Sequence, residues 1–189
     1  MIRRPKVMGI VNVTPDSFSD GGRLGTVAAA TAHALQLLDQ GADVVDIGGE
    51  STRPGAEPVN AAEEIGRVVP VIKAIRAQRS GAVISIDTMK SDVARAAVAA
   101  GAAVWNDVTA LTRSADSVAV AAELGCDLIL MHMQGEPRTM QAEPHYDDVV
   151  AEVRDWLAPF GAAAYVLRYR VDDDVIVVLR IRHSLEAGF

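Results

Sequence analysis

Polar or glycine residues follow apolar runs of strand length at five places in the chain. They are Asn12, Gly48, Asp87, Asn106 and His132. Short continuous apolar runs are typical of strands buried in a parallel sheet. In α/β barrels the reactive groups lie on the loops that follow the carboxyl ends of such strands. We therefore expect most reactive side chains of residues 1–135 to lie on one rim of a sheet.

The loop that begins at Asn12 and runs to residue 22 carries the densest group of polar side chains. It combines amide, carboxylate and hydroxyl groups, including Ser19 and Asp20, with an apolar Phe18 among them. A capped turn is the alternative, since Asn, Asp and Gly are turn formers. Because most connections are shorter, at roughly two to six residues, we predict a binding or catalytic loop here.

The loop of residues 48–55 has a similar character. Its two glycines, Gly48 and Gly49, allow the backbone to approach a ligand closely. Arg53 offers a planar guanidinium that can make a bidentate contact with a carboxylate or a phosphate. The alternative is a flexible linker with an exposed arginine, and the loop alone does not decide between them.

Each strand-end residue further along the chain keeps two interpretations. Asp87 can accept paired hydrogen bonds from a guanidine-like edge of a ring, or it can cap the following helix. Asn106 offers a donor and an acceptor, and Asp107 beside it can orient Asn106 or cap a turn. His132 is a candidate general base or ligand, although a lone strand-end histidine is more often structural. Their shared position after apolar runs is the stronger indication of a site.

Alanine-rich segments between the apolar runs predict five helices. They span residues 27–40, 61–78, 90–100, 114–124 and 146–158. Asn60 and Glu63 form a capping-box pattern before the second helix, and Gly41, Gly101 and Gly125 end others. Five alternations of strand and helix predict an α/β fold of parallel strands with right-handed crossovers. A barrel and an open doubly wound sheet both fit this order.

Composition narrows the classes of function. The chain has 189 residues, half of them hydrophobic, a formal net charge of −7 and a single cysteine, Cys126. The length indicates one domain and is short for an eightfold barrel, which needs roughly 250 residues. The acidic balance argues against a nucleic-acid partner. A lone cysteine excludes a disulfide framework, and no apolar stretch approaches the roughly 20 residues of a membrane span. We therefore expect a soluble, cytoplasmic protein.

The composition changes after about residue 160. Residues 164–171 alternate like a half-exposed strand, three aspartates at 172–174 predict a turn, and residues 175–183 predict a second strand. Such a hairpin is antiparallel and does not continue the alternation of strands and helices. We therefore predict two parts, a partial barrel of residues 1–160 and a β-hairpin tail of residues 161–189.

The motifs at the strand ends together resemble a known family. Residues 9–22 (GIVNVTPDSFSDGG) and 46–55 (DIGGESTRPG) resemble the first two signatures of dihydropteroate synthase. Residues 86–88 (IDT), 106–107 (ND) and 131–135 (MHMQG) follow in that family's order. The resemblance covers about residues 5–158, and it implies a (β/α)₈ TIM barrel that binds pterins.

The resemblance also implies a reaction and the residues that carry it. The family joins 4-aminobenzoate to 6-hydroxymethyl-7,8-dihydropterin diphosphate and releases diphosphate with the help of Mg²⁺. The motif match implies Asn12 as the residue near Mg²⁺, and it implies Asp20 and Arg53 as catalytic residues on two loops that close over 4-aminobenzoate. The residues implied in substrate binding are Thr52, Asp87, Asn106, Phe18, Ser19 and Pro54.

The sequence also departs from that family. The family's later motifs, an Asp-Pro-Gly-Ile-Gly-Phe strand end, a Ser-Arg-Lys segment and a terminal Arg-x-His, do not occur in the chain. Residues 161–189 instead resemble the C-terminal hairpin of RelE/ParE-type toxins. The resemblance therefore predicts an incomplete TIM barrel of five strand-helix units, followed by a β-hairpin, with greatly reduced turnover.

This departure leaves other functions open. One is a non-catalytic remnant of the enzyme, and another is a different pterin-binding barrel, such as a methyltetrahydrofolate methyltransferase. The loops of residues 12–22 and 48–55 speak against the methyltransferase. Exposed strand edges can also pair between two chains, which would give a homodimer.

Overall fold

The computed structural model of the protein describes most of the chain up to residue 131 and three strands beyond it. The described residues are 6–13, 27–51, 57–131, 145 and 147, with the backbone of residues 155–160, 163–172 and 175–183. Several predicted site residues lie outside the described residues, namely Phe18, Ser19, Asp20, Thr52, Arg53, Pro54 and His132.

Five parallel strands form the first sheet and lie side by side in sequence order. They are β1 (Met8–Asn12), β2 (Val44–Gly48), β3 (Ile84–Asp87), β4 (Val104–Asp107) and β5 (Asp127–Leu130). Each strand overlaps the apolar run that predicted it, so the prediction of five parallel strands is confirmed. Doubly wound sheets reverse their strand order at a switch point. The sequential order therefore favours the barrel over the doubly wound alternative.

Four helices connect these strands. They are α1 (Val27–Asp39), α2 (Ala61–Gln78), α3 (Ser91–Ala100) and α4 (Ser117–Leu124), as four of the five predicted helices required. The side chain of Asn60 accepts a hydrogen bond from the N–H of Glu63 at 2.9 Å and caps α2. Gly101 ends α3 with φ 117°, a left-handed conformation that favours glycine. Within the described part of the chain, no helix has the length and hydropathy to cross a membrane.

The two faces of the parallel sheet differ. One face packs on the helices, and its completely buried register row consists of Val11, Ile47, Ile86 and Trp105. The opposite face includes Ile10, of which 52% is exposed. Because side chains alternate between faces along a strand, Asn12 shares the face of Ile10. Asn12 and its register partners Asp87 and Asn106 therefore point away from the helices.

Helix α2 buries a charged residue beside its apolar stripe. The spacing of its apolar residues predicts a stripe of Ile65, Val68, Val69, Ile72 and Ile75. In the structure Val68, Ile72 and Ile75 are completely buried, and Ile65 and Val69 are partly buried and packed against the core, so the stripe is confirmed. Glu64 beside it is also completely buried, and its carboxylate pairs with a residue outside the helix.

A second, antiparallel sheet lies beyond residue 150. Its strands are β6 (Asp155–Phe160), β7 (Ala163–Asp172) and β8 (Val175–His183), with β7 in the middle. The predicted hairpin is confirmed as β7 and β8. The predicted fifth helix is wrong over residues 155–158, where β6 pairs with β7. Pairing with a neighbouring strand overrides a helical pattern there. The boundary near residue 160 stays a prediction.

Candidate functional site

Four residues from four strands form one row at the carboxyl end of the parallel sheet. The register pairs Asn12 with Gly48, Gly48 with Asp87, and Asp87 with Asn106. We call Asn12, Gly48, Asp87 and Asn106 the polar row. Register partners in a parallel sheet point to the same side, so its three side chains share the face of Ile10. The structure thus brings three predicted site residues together from distant parts of the sequence.

Gly48 leaves room for two oxygen atoms within the polar row. A Cβ atom at this position would lie 3.4 Å from Oδ1 of Asn12 and 3.5 Å from Oδ2 of Asp87. The two oxygens therefore flank the same point, and a side chain there would fill the space beside them. Oxygen donors of this kind suit Mg²⁺. The described residues contain no group of three or more His, Cys, Asp or Glu side chains that could hold a metal. The pair alone is therefore at most part of a coordination shell.

A buried carboxylate lies behind the polar row. Nδ2 of Asn106 donates a hydrogen bond to Oδ2 of Asp46 at 3.0 Å. Asp46 is only 3% exposed and lies two residues before Gly48, on the same face of β2. The bond joins β2 to β4 across β3, where the register partner of Asp46 is the small residue Ser85. Burial raises the pKa of Asp46, and the hydrogen bond from Asn106 opposes that rise.

Asp87 holds its proton more tightly than an ordinary aspartate. Burial and, after it, the negative charges of Asp46, Glu64, Asp107 and Glu50 raise the pKa of Asp87 to about 7. Both effects disfavour the ionised form of the group. Near neutral pH its carboxyl group therefore exists in both forms, and a ligand that donates hydrogen bonds would favour the carboxylate. Perturbed carboxyl groups of this kind cluster at functional sites.

A lysine neutralises a second group of carboxylates. Nζ of Lys90, the residue before α3, lies 2.7 Å from Oε2 of Glu50 and 2.6 Å from Oε2 of Glu64. We call Lys90, Glu50 and Glu64 the lysine triad. Burial lowers the pKa of Lys90, but the hydrogen bonds to Glu50 and Glu64 outweigh it and leave the pKa raised. The ammonium group therefore stays charged and compensates the buried carboxylates.

Glu50 also links the start of the second predicted loop to Val59, a residue beyond its end. Its Oε1 accepts a hydrogen bond from the backbone N–H of Val59 at 2.9 Å, while its Oε2 binds Lys90. Just before it, the carbonyl oxygen of Gly49 accepts a hydrogen bond from Nη1 of Arg67 at 2.7 Å. One carboxylate therefore links Val59 and Lys90 to the chain just after β2.

Asp107 caps a turn, which decides between its two interpretations. Its Oδ1 accepts hydrogen bonds from the N–H and the hydroxyl of Thr109, both at 2.7 Å, and its Oδ2 accepts one from the N–H of Leu111 at 3.0 Å. Ala110 and Leu111 have φ values of 53° and 63°, which are uncommon for residues with side chains. Asp107 is completely buried, and it stabilises the strained connection between β4 and α4.

Sequence reasoning missed most of the buried acids around the polar row. Asp46 stands inside an apolar run, and Glu64 lies beside an apolar stripe. A signal existed for Asp46, since alternate residues of a strand share a face and Asp46 lies two residues before Gly48. No local pattern pairs Lys90 with Glu50, which lies 40 residues earlier in the chain.

Comparison of the sequence with known families gives a match over most of its length. The sequence profile of a family described as pterin binding enzyme matches residues 8–177. Dihydropteroate synthase of Escherichia coli K12 is 51% identical to the chain over 152 residues, which are 80% of this chain and 53% of that enzyme. The chain therefore spans about half the length of the curated relatives it matches.

Solved structures give the same result for the fold. The chain is similar to Yersinia pestis dihydropteroate synthase in complex with a sulfonamide drug, with a TM-score of 0.72 at 49% identity. That match covers 79% of this chain and 54% of the other. Xanthomonas albilineans dihydropteroate synthase with 4-aminobenzoic acid has a TM-score of 0.67 at 57% identity, over 79% of this chain and 52% of that one. The parallel sheet and its helices thus form an α/β fold that corresponds to part of a TIM barrel.

Proposed function

The chain belongs to the family of pterin-binding enzymes, and we propose that it acts in the reaction of dihydropteroate synthase. That reaction condenses 6-hydroxymethyl-7,8-dihydropterin diphosphate with 4-aminobenzoate and releases diphosphate. The observation that carries the proposal is the polar row, whose three side chains lie in register at the carboxyl ends of β1, β3 and β4. In α/β barrels this end of the sheet carries the reactive groups.

The pterin ring suits the acidic end of β3. Its amino group and the neighbouring ring nitrogen form a guanidine-like edge, which an aspartate can bind through two hydrogen bonds. Asp87 supplies such a carboxylate, and Asn106 beside it supplies an amide. The pKa of Asp87 is about 7 because the group is buried among other acids, so hydrogen bonds from a ring would stabilise its charged form. We assign Asp87 and Asn106 to the pterin.

Asn12 is the residue proposed to hold Mg²⁺. Its Oδ1 and Oδ2 of Asp87 flank one point beside Gly48, which gives the oxygen donors that this ion prefers. Mg²⁺ is commonly coordinated by one or two protein ligands together with substrate phosphates. A single amide oxygen near the diphosphate is consistent with this coordination. When bound, the ion would neutralise charge on the departing diphosphate.

The two loops matched by the family signatures complete the proposed site. Asp20 and Arg53 are the proposed catalytic residues, and the proposed contacts to the substrates include Phe18, Ser19, Thr52 and Pro54. In the reaction the amine nitrogen bonds to the methylene carbon of the pterin as the bond from that carbon to the diphosphate oxygen breaks. The nitrogen then releases one proton to solvent, and diphosphate leaves. Such a site works by positioning the two substrates and by stabilising the leaving group electrostatically.

Compartment, domain organisation and assembly are further proposals. A cytoplasmic location is supported by the single cysteine, since a reducing compartment has no need of disulfides. Two parts, residues 1–160 and 161–189, are supported by the change in sequence pattern after residue 160, although β6 (Asp155–Phe160) already belongs to the antiparallel sheet. A homodimer is supported by the edge positions of β1 and β5 in the parallel sheet, because strand edges can pair between chains.

Product formation tests the proposed function. The protein is incubated with the pterin diphosphate, 4-aminobenzoate and Mg²⁺, and dihydropteroate is measured by chromatography. The Asp87→Asn variant is expected to lose at least about 99% of the rate, since it removes a charged acceptor from the polar row. Asp127→Asn is the matched control, because this exposed acid begins β5 at the opposite end of the sheet.

The outcomes of this experiment separate the alternatives. Product formation that depends on Asp87 and not on Asp127 supports the proposal. Binding of the pterin diphosphate without product would leave a pterin-binding chain that does not catalyse the condensation. Product formation unaffected by Asp87→Asn would contradict the assignment of the site.

A further inference from the structure

An asparagine in a binding site can present either of two opposite groups to a ligand. Its Oδ1 accepts hydrogen bonds and its Nδ2 donates them, and rotation of the amide by about 180° exchanges the two. Asn106, in the polar row, would therefore select different ring edges in its two orientations. Whatever fixes the amide also fixes which ligand group is recognised.

The buried carboxylate of Asp46 provides such a constraint. Its Oδ2 accepts the hydrogen bond from Nδ2 of Asn106 at 3.0 Å. An ionised carboxylate only accepts hydrogen bonds, so it selects the orientation in which Nδ2 faces it. The opposite orientation would place Oδ1 of Asn106 against a carboxylate oxygen, in surroundings that screen the repulsion weakly.

The contact is part of the sheet itself. Asp46 lies in the middle of β2 and is 3% exposed, and Asn106 lies in β4. Ser85, on the intervening strand β3, is the register partner of Asp46 and is small enough to let the two side chains meet. Burying a carboxylate without a hydrogen bond costs free energy. The hydrogen bond between Asp46 and Asn106 is therefore favoured before any ligand binds, and it gives the pair a defined geometry.

We propose that Asp46 is a positioning residue that makes Asn106 present its carbonyl oxygen, and not its amino group, to the pterin. The proposal rests on the proposed function, because it deepens the role given to Asn106 there. With Asp87 as its neighbour, Asn106 then offers a second hydrogen-bond acceptor to the ligand. The site selects ring edges that donate hydrogen bonds at both positions, and it rejects rings that place an acceptor opposite Asn106.

Calorimetric titration of the Asp46→Asn variant with the pterin diphosphate and Mg²⁺ tests this role. The substitution keeps the shape of the side chain but removes its charge, so both orientations of Asn106 become available. Binding is expected to weaken about twofold or more, because the competent orientation of Asn106 then makes up half of the molecules or fewer. Ser117→Ala is the matched control, because it also alters a buried polar residue but lies in α4, away from the pair.

A double-mutant cycle separates positioning from a merely structural role. Asn106→Ala removes the amide, so Asp46→Asn is expected to have little further effect on binding in that background. Independent, multiplying losses in the double variant would overturn the proposal. Unchanged binding by Asp46→Asn would also overturn it, provided the unaltered protein binds the pterin diphosphate.

Nuclear magnetic resonance of the unliganded, unaltered protein gives a test that needs neither the variant nor the ligand. One side-chain amide proton of Asn106 is expected to exchange slowly with solvent, because it is bonded to a buried carboxylate. Rapid exchange of both protons would overturn the inference. If the unaltered protein binds no pterin diphosphate, the proposed function fails, and this measurement still decides whether Asp46 fixes Asn106.

Discussion

Two groups of carboxylates lie near the end of β3, and they differ in whether a cation of the protein compensates their charge. In the lysine triad, Glu50 and Glu64 share the ammonium group of Lys90 at 2.7 and 2.6 Å. In the polar row, burial and, after it, nearby acids such as Asp46 raise the pKa of Asp87 to about 7. The first group is compensated within the protein, whereas the second gains most from a ligand that donates hydrogen bonds.

We propose that this difference separates a structural role, for the lysine triad, from a binding role, for the polar row. A buried ion pair whose charges balance holds segments of chain together. Here the carboxylate of Glu50 binds both the backbone of Val59 and the ammonium group of Lys90. A buried acid with a raised pKa destabilises the folded protein when it is charged. We infer that such an acid is tolerated at Asp87 because the ligand supplies the missing interaction. Substitutions in the two groups should therefore change stability with opposite signs.

The largest expected effect comes from Lys90→Met. The variant leaves Glu50 and Glu64 in a buried place without their cation, so the free energy of unfolding should fall by about 3–5 kcal/mol. Urea unfolding at neutral pH measures the change. A loss no larger than that of an exposed ion pair would show that the lysine triad does not hold the fold, and partial recovery by Lys90→Arg would show that charge is what matters.

Asp87→Asn is expected to stabilise the protein while it weakens ligand binding. The pKa of Asp87 is raised from 3.8 to about 7, so the folded state keeps a proton that the unfolded state has released between these values. Stability contributed by this group therefore falls as pH rises through that window. The free energy of unfolding of the variant should exceed that of the unaltered protein by up to about 4 kcal/mol near pH 8. The two free energies should be equal below about pH 4.

Urea unfolding of both proteins across that pH range measures this difference, and calorimetry measures binding. The polar row would be a structural feature, and not a binding site, if Asp87→Asn lost stability near pH 8 and kept its ligand affinity. Asn12→Ala serves as the control for the stability measurement, since it alters the same row without removing a titrating group or the hydrogen bond to Asp46.

Asp107→Asn is expected to have an intermediate effect. Asp107 is buried but compensated by neutral donors, two from Thr109 and one from Leu111. An amide accepts through one oxygen only, so the variant should lose about 1–3 kcal/mol of stability. Thermal or urea unfolding checks this value. A gain in stability would mean that Asp107 behaves like Asp87. It would contradict the view that Asp107 stabilises a turn whereas Asp87 belongs to a binding site.

The smallest effect is expected at an exposed pair. Arg79 and Asp39 meet at 2.7 Å with both side chains largely in solvent. Arg79→Gln should cost less than about 1 kcal/mol, and high salt should reduce even that difference. Urea unfolding at low and high salt measures it. A loss of stability equal to that of Lys90→Met would mean that burial does not determine how much these charged groups contribute to stability.

The fold of the parallel sheet could be predicted from the sequence because its signals are local. Apolar runs predicted β1 to β5. Gly101 predicted the end of α3, where glycine adopts a left-handed conformation without strain. The fifth predicted helix is wrong over residues 155–158 because β6 pairs there with β7, the next strand along the chain. Whether a segment forms a strand depends on the partner it packs beside as well as on its own helical pattern.

The site could be predicted in part. Asn12, Asp87 and Asn106 are recognisable as strand-end residues, and parallel register places them in one row. The contact of Asp46 with Asn106 spans 60 residues of sequence and depends on how β2, β3 and β4 lie beside one another. The pKa of Asp87 depends on that same assembly, and so no sequence pattern could have indicated it.

Calorimetric titration of the purified, cooperatively melting protein with the pterin diphosphate and Mg²⁺ tests the central claim most directly. We predict saturable binding at one site per chain that is lost in Asp87→Ala and retained in Asp127→Asn. A cooperatively folded protein that binds no pterin diphosphate would contradict the assignment of the polar row as a pterin site.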